Sequence, residues 1–481
     1  MFDLDYSQQE AIGLTFIFNQ LTPNSPYGVE RKKQIAPFSR GEKAALSECF
    51  DNIEKISELN NSDVAGLDEL EFQLMSLKQI HGIVLKCENH TLSQVELFEL
   101  KQFLLTFEKL EVAFRKLHER VCFAGIDLIK LGQALDILDP ERKRIAAFVL
   151  DSPELCEIRR EKGHVEAQLQ KEKLQSGESV LTTKRIELVR REAEEETKVM
   201  SSLTARLRPC LPSFTANIDN IGKLDLFIAK AKLALMYGAV RPKISERAEV
   251  SLKSMFNPFA ADALEKNNQT MTRVSMTLPK GTTIITGANM GGKTVAVKTA
   301  VLNIVLCQMG FFVFAESAEI PIFDGVCLIS EDMQDIGRGL SSFGAEIARF
   351  NEISGRMKSE FLFIAMDEFA RGTNPEEGAP IVRAIASYLS ESGSVCVMTT
   401  HYDRVVSPKF KHYQVAGLNL PESSQESGYK IPSIAQYMDY NLIETGYDTS
   451  PPRDALNICK VIGLNDDILN RIGAEYDSLT K

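Results

Sequence analysis

The chain reads as a multidomain α + α/β protein: a helical first half, then a domain in which strands and helices alternate. Three observations predict this. Up to about residue 250, proline is sparse after Pro37 and apolar residues recur at spacings of three and four, the helical period. Between 151 and 208 the chain is dense in charge and carries only thin apolar seams. From Gly281 onward, short β-branched runs alternate with helical patterns, which argues for an α/β sheet domain. The expected division is 1–250 for a helical core with a coiled-coil hairpin at about 151–208, and 251–481 for the sheet domain.

Each element has its own signal. Ser39, with Glu42 three residues on, forms a capping-box pattern ahead of a helix carrying Leu46, Phe50 and Ile53. Leu97, Leu100, Phe103, Leu104, Phe107 and Leu110 mark one apolar face of a long helix. Ser152-Pro153 is a helix start. Leu155, Ile158, Val165 and Leu169 then form one seam, Ser176-Gly177-Glu178-Ser179 can reverse the chain, and Ile186, Val189, Ala193, Met200, Leu203 and Leu207 form a second. Two polar helices with facing seams fit an antiparallel hairpin with arms of ~30 Å; two unpaired surface helices are the alternative. Leu224 to Ala234 returns to a buried helical pattern, and Arg241 to Thr282, broken by Pro242, Pro258 and Pro279, reads as linker and entry strands.

Composition excludes several classes. A net charge of −11 argues against broad non-specific DNA binding, which rests on Lys and Arg neutralising phosphates, although a local basic groove is compatible with it. The nine cysteines are scattered with no C-x-x-C pair and no Cys/His cluster, which argues against zinc and for reduced thiols in a cytoplasmic protein. The N-terminus has no basic start followed by an apolar core, and no stretch approaches the ~18 apolar residues of a membrane span, so a signal peptide and a membrane partner are not expected.

The chemistry begins at residues 287–294. Gly287-Ala288-Asn289-Met290-Gly291-Gly292-Lys293-Thr294 is a complete G-x-x-x-x-G-K-[ST] loop between a β-branched run ending at Thr286 and a helical pattern starting near Val295. Its glycines let backbone N–H groups wrap phosphates, and the helix N-terminus adds favourable partial charge. Lys293 is expected to reach the β- and γ-phosphates of ATP and Thr294 to offer its hydroxyl to Mg²⁺.

The apolar run Phe361 to Met366 ends in Asp367-Glu368, where neighbouring side chains point to different tasks: Asp367 to the metal shell, Glu368 to the attacking water. Val395 to Thr400 is another apolar strand, ending in His401, which is placed either to meet the γ-phosphate or to serve structurally. Gly337 to Glu346 opens a helix with Ser341 and Ser342 near its start; this is an anion site for a partner subunit's ATP or a plain serine cap. Arg371 to Gly378 is a turn-rich loop directly after the carboxylates, either a signal-carrying interface loop or a surface turn.

At these residues the chain resembles the MutS family of ABC-type ATPases. The family's Gly-Pro-Asn-Met-Gly-Gly-Lys-Ser/Thr loop has Ala288 in place of proline; its Asp-Glu…Arg-Gly-Thr run is similar to Asp367, Glu368, Arg371, Gly372 and Thr373; its Thr-His-Tyr switch to Thr400, His401 and Tyr402; and its Ser-Thr-Phe signature to Ser341, Ser342 and Phe343. The Asn374-to-Gly378 and Gly339-to-Phe343 runs resemble the second MutS branch more than the mismatch-recognition branch. Softer similarity covers Asp151 to Leu155 with Ile158-Arg159, Leu224-Asp225 with Ala229 to Ala231, and Ala455 to Ile458 with Gly463-Leu464, similar to lever-helix starts, their return to the core and C-terminal dimerising helices.

The resemblance implies an ABC-type P-loop domain, ATP and Mg²⁺ as cofactors, and a dimer, with itself or with a related subunit, in which each ATP lies between the loop of one subunit and Ser341/Ser342 of the other. It also implies a role in DNA repair or recombination. Against that family the mismatch-binding and connector domains do not fit in the some 35 residues ahead of the helical core, the lever segment is short, and no nuclease-like tail is recognised, so mismatch reading is not expected. The load is therefore DNA or a protein client. Trimmed MutS-like proteins resemble candidates for reactivating cobalamin-dependent aminomutases, and an ATP-gated scaffold is a third reading.

Overall fold

In the computed structural model, the described residues are 3–141, 143, 147–172, 180–287, 292–330, 342–402, 404–418, 438–447, 458–459 and 464–479. In chain order the helices are α1 (Tyr6–Ala11), α2 (Leu14–Gln20), α3 (Pro26–Lys33), α4 (Lys43–Ser62), α5 (Val64–Ser76), α6 (His81–Asn89), α7 (Gln94–Val121), α8 (Gly132–Leu138), α9 (Pro153–Glu172), α10 (Val180–Leu207), α11 (Leu211–Tyr237), α12 (Pro258–Glu265), α13 (Lys293–Gln308), α14 (Ser342–Arg356), α15 (Pro375–Ser390) and α16 (Asp466–Leu479). The strands are β1 (Lys243–Ile244), β2 (Glu249–Met255), β3 (Val274–Pro279), β4 (Gly281–Thr286), β5 (Ser317–Ile320), β6 (Gly325–Ile329), β7 (Leu362–Met366), β8 (Val395–Thr400), β9 (Lys411–Leu418) and β10 (Met438–Glu444).

Two compact units result. One comprises Met1–Leu21, Ala36–Phe50 and Lys232–Lys481; the other comprises Thr22–Ile35 and Asp51–Ala231. This differs from a single border at residue 250, because early segments join the sheet-bearing unit through pairings that local sequence does not encode. The Asp3 N–H donates to the Val326 carbonyl at 3.0 Å, the Gln8 amide to Leu328 at 2.9 Å and the Phe38 N–H to Gln308 at 2.8 Å.

The helical unit follows its periodicity. Ser93 and Glu96 form a reciprocal capping box at the start of α7, whose Leu97, Leu100, Phe103, Leu104, Phe107 and Leu110 are all buried. Ser152 caps α9, its hydroxyl accepting from the Leu155 N–H at 3.0 Å. α9 and α10 pack together, and their ion pairs run in opposite senses: Arg159 to Glu192 and Glu196, Arg185 to Glu166. The pairing is therefore antiparallel. Its apolar seam differs from the expected one on α10. Leu188 is buried with Ile158 and Val165, and Leu181 and Leu169 pack against them, while Ile186 and Val189 are exposed at 63% and 42%. The charges explain the phase. Leu188, Glu192 and Glu196 share one stripe at four-residue spacing, and Arg159 and Lys162 pull that stripe inward. The expected turn at Ser176 to Ser179 lies outside the described residues.

The sheet-bearing unit holds a four-stranded sheet in the order β1-β5-β2-β3 and a six-stranded one in the order β10-β9-β4-β8-β7-β6. In the larger sheet β6, β7, β8, β4 and β9 are parallel and β10 is antiparallel to β9. Strands β4, β6, β7 and β8 are buried along their whole length, as expected where helices cover both faces. The expected linker from Arg241 to Thr282 also contains α12. Asn257-Pro258 is a helix start there, with the Asn257 side chain accepting from the Phe259 N–H at 3.0 Å.

Candidate functional site

The register of the parallel strands sets up the site. Thr286 pairs with Thr400, and Met366 pairs with both Met398 and Ile329. Gly287 after β4, Asp367-Glu368 after β7 and His401 after β8 therefore lie at the same edge of the sheet. Ligands of open α/β sheets bind at that carboxyl edge.

The loop's two described ends need glycine. Gly287 has φ +146° and a Cβ there would fall 2.9 Å from Val415 Cβ; Gly292 has φ +82° and its Cβ would fall 2.9 Å from the Tyr440 ring. Ala288, Asn289, Met290 and Gly291 lie outside the described residues. Lys293 opens α13 and is buried, its ammonium donating to the Gly287 carbonyl at 2.8 Å and lying 3.5 Å from Glu368 Oε1. Burial pushes this ammonium below its usual range, while the Glu368 carboxylate pulls the other way.

Thr294 and Asp367 meet directly, the threonine hydroxyl donating to Oδ1 at 3.1 Å. Thr399 Oγ1 donates to the same Oδ1 at 2.8 Å and accepts from the Glu368 N–H at 2.7 Å. Burial raises the Asp367 carboxyl above the ordinary range, and the hydroxyls of Thr399 and Thr294 oppose the shift. Glu368 is buried at φ +49°, with Arg371 donating to its Oε2 at 2.6 Å. A cleft of about 820 Å³ runs from Lys293, Thr294 and Glu368 toward Met271 and Tyr440, a size suited to a nucleotide.

The structure thus brings together Gly287, Gly292, Lys293, Thr294, Asp367 and Glu368. His401 follows β8 at the same edge, its ring centroid 4.4 Å from that of Tyr402. Ser342 begins α14, but its side chain and all of Ser341 lie outside the described residues. Of the C-terminal residues used for the resemblance, Ala455, Leu456, Asn457 and Gly463 also lie outside them, while α16 is formed. Sequence reasoning missed Thr399 as the tie between the two carboxylates, and Met271 and Tyr440 as the far wall of the cleft. Thr399 left one signal, a hydroxyl at the carboxyl end of an apolar strand. Met271 and Tyr440 left none, since they converge from distant segments.

The segment that carries these residues is similar to known proteins. A family model described as MutS domain V matches residues 283–441. A protein named Endonuclease MutS2 from Leuconostoc mesenteroides is 31% identical over 299 residues, covering 62% of this chain and 35% of that protein. Proteins of the same name from Acetivibrio thermocellus and Levilactobacillus brevis are each 33% identical, over 59% and 49% of this chain and 34% and 28% of their own length. The similarity thus spans about a third of these relatives. Among the described residues no helix is long and apolar enough to cross a membrane. The match to MutS domain V thus encloses Gly287, Gly292, Lys293, Thr294, Asp367 and Glu368, and the chain is similar to proteins named Endonuclease MutS2 over about a third of their length.

Proposed function

We propose that the chain binds and hydrolyses ATP and works as an ATP-gated dimer in DNA repair or recombination. One observation carries the ATPase reading: the parallel sheet brings a buried lysine, a threonine hydroxyl and two carboxylates to one edge, with Thr294 3.1 Å from Asp367 and Lys293 3.5 Å from Glu368. Lys293 supplies a fixed positive charge for the β- and γ-phosphates. Glu368, set by the Thr399 bond to its N–H and by Arg371, is placed to orient and deprotonate a water. Thr294 and Asp367 offer hard oxygen donors, which suit Mg²⁺; when bound, the ion supplies neutralisation of phosphate charge. His401 is assigned to the γ-phosphate side on its position after β8. Met271 and Tyr440 would flank the nucleoside. Ser341 and Ser342 are assigned to the partner subunit's ATP, with α9 and α10 as levers.

The reading is tested by phosphate release and sedimentation. Lys293→Ala and Glu368→Ala should each lower turnover on the order of 10²-fold or more. Glu368→Ala should still bind ATP and hold the dimer. Full turnover in both variants would remove the assignment.

The DNA role rests on the similarity to MutS proteins and on relatives whose name includes endonuclease. A second reading, a protein-remodelling ATPase such as a reactivating subunit for a cobalamin-dependent aminomutase, is favoured by one observation. Four cations of α9 and α10 are paired with neighbouring glutamates: Arg159 and Lys162 with Glu192, Lys184 with Glu161, Arg185 with Glu166. ATPase stimulation by a protein partner, without DNA binding at low salt, would select it.

A further inference from the structure

After β7 the chain makes a turn that L-residues resist. Glu368 has φ +49° and Ala370 has φ +64°. A left-handed residue other than glycine is strained and persists only where its surroundings over-determine it. The surroundings of Ala370 do so from both sides of the residue. Its N–H donates to Glu346 Oε2 at 2.7 Å, and its carbonyl accepts from the Tyr402 hydroxyl at 2.7 Å. Glu346 belongs to α14, and Tyr402 follows β8; both are buried, at 2% and 6% exposure.

The seat for the Tyr402 hydroxyl is itself built. A Cβ on Gly378, in the first turn of α15, would stand 2.4 Å from that oxygen, so only glycine leaves room for it. Tyr402 is fixed further by its N–H, which donates to Thr400 Oγ1 at 3.0 Å. Phe369 between the two left-handed residues is anchored in the core at 1% exposure. Two side chains, one from α14 and one after β8, thus converge on one residue, two positions after the carboxylate that faces Lys293.

We infer that Glu346 and Tyr402 are positioning residues: by gripping Ala370 they hold the left-handed turn that aims Glu368 at the γ-phosphate side of Lys293. The inference rests on the ATPase reading and deepens it. Neither side chain needs to touch ATP. A shift of α14 would reach Glu368 through one hydrogen bond and one turn, so the helix that starts at Ser342 and the water-orienting carboxylate are mechanically linked. Releasing either grip lets the turn relax toward ordinary φ values and swings Glu368 off its line.

The test separates aim from binding. Tyr402→Phe keeps the ring and removes the hydroxyl bond to the carbonyl, leaving the longer 3.3 Å bond from the Thr373 N–H; Glu346→Met removes the acceptor for the N–H; Glu346→Gln keeps an acceptor oxygen. In the 481-residue chain, kcat for ATP should fall roughly tenfold or more in Tyr402→Phe and Glu346→Met, while the Kd for a non-hydrolysable fluorescent ATP analogue with Mg²⁺ stays within about twofold. Glu346→Gln should recover most of kcat. Because the two grips act on one turn, the double variant should be little worse than either single one. Wild-type kcat in both Tyr402→Phe and Glu346→Met overturns the inference. So does a parallel loss of analogue binding and turnover with no rescue by Glu346→Gln, the mark of a merely structural role. If the wild-type protein itself lacks Lys293-dependent ATP turnover, the parent reading fails and this one with it.

Discussion

Thr399 does two jobs with one oxygen: it donates to Asp367 and accepts from the Glu368 backbone. Thr399→Val keeps shape and removes both bonds in a buried place. The expected cost is about 1–3 kcal/mol in urea unfolding, with Thr399→Ser recovering most of it. His412 gives a pH signature. It is buried, its Nε2 2.8 Å from the Thr286 hydroxyl and its Nδ1 2.9 Å from the Gly446 carbonyl, and burial holds its pKa below the ordinary value. With a folded pKa under the unfolded one, its contribution is complete above about pH 6.5 and is lost as pH falls through the folded value. Melting temperature should therefore drop on acidification below that point, and less steeply in His412→Gln; equal slopes would remove the assignment. At this scale legibility followed covalent spacing. Lys293, Thr294, Asp367 and Glu368 stand in runs whose chemistry can be read directly. Thr399 and Glu346 act through hydrogen bonds to residues 31 and 24 positions away, and only the folded sheet makes those neighbours.

Among the elements, strand and helix identity was legible wherever the period was long and regular, as in α7 and in the apolar runs of β7 and β8. Phase was harder to read in α10. Counting only apolar residues selects Ile186 and Val189, yet the inward stripe is the buried Leu188 with the half-buried Glu192 and Glu196, paired to Arg159 and Lys162. A salt-bridged glutamate can thus occupy a seam position that a hydrophobicity count assigns to its neighbours. The consequence is measurable. Leu188→Ser should destabilise the α9–α10 pair by about 2 kcal/mol or more, because it removes one of three buried apolar contacts. Ile186→Ser should stay within about 0.5 kcal/mol. Amide exchange across α10 reads both, and equal protection in the two variants would return the seam to its expected phase. α12 escaped notice for a different reason: Pro258 reads as a breaker until Asn257 is seen as its cap.

On the scale of the molecule, the division into units was the least legible feature, because the sheet-bearing unit recruits its first strand contact from Asp3 and a helix start from 36–50. Charge at this scale bears on the load. The net charge is −11, and Arg159, Lys162, Lys184, Arg185 and Arg191 on α9 and α10 face Glu161, Glu166, Glu192 and Glu196 at 4 Å or less. A DNA-binding protein releases counterions in proportion to the phosphates it neutralises, with a slope of about −0.9 per contact. Cations already neutralised between α9 and α10 add little to that slope. Binding to duplex DNA should therefore be weak and only mildly salt-dependent, with a slope corresponding to fewer than about four phosphates. Replacing Glu192, Glu194, Glu195 and Glu196 by glutamine should steepen the slope and raise affinity at low salt, since Arg159 and Lys162 are then released. A slope near −6 in the unmodified chain would refute the argument from internal pairing and favour a DNA load. Absence of binding at low salt in both proteins would move the load to a protein client.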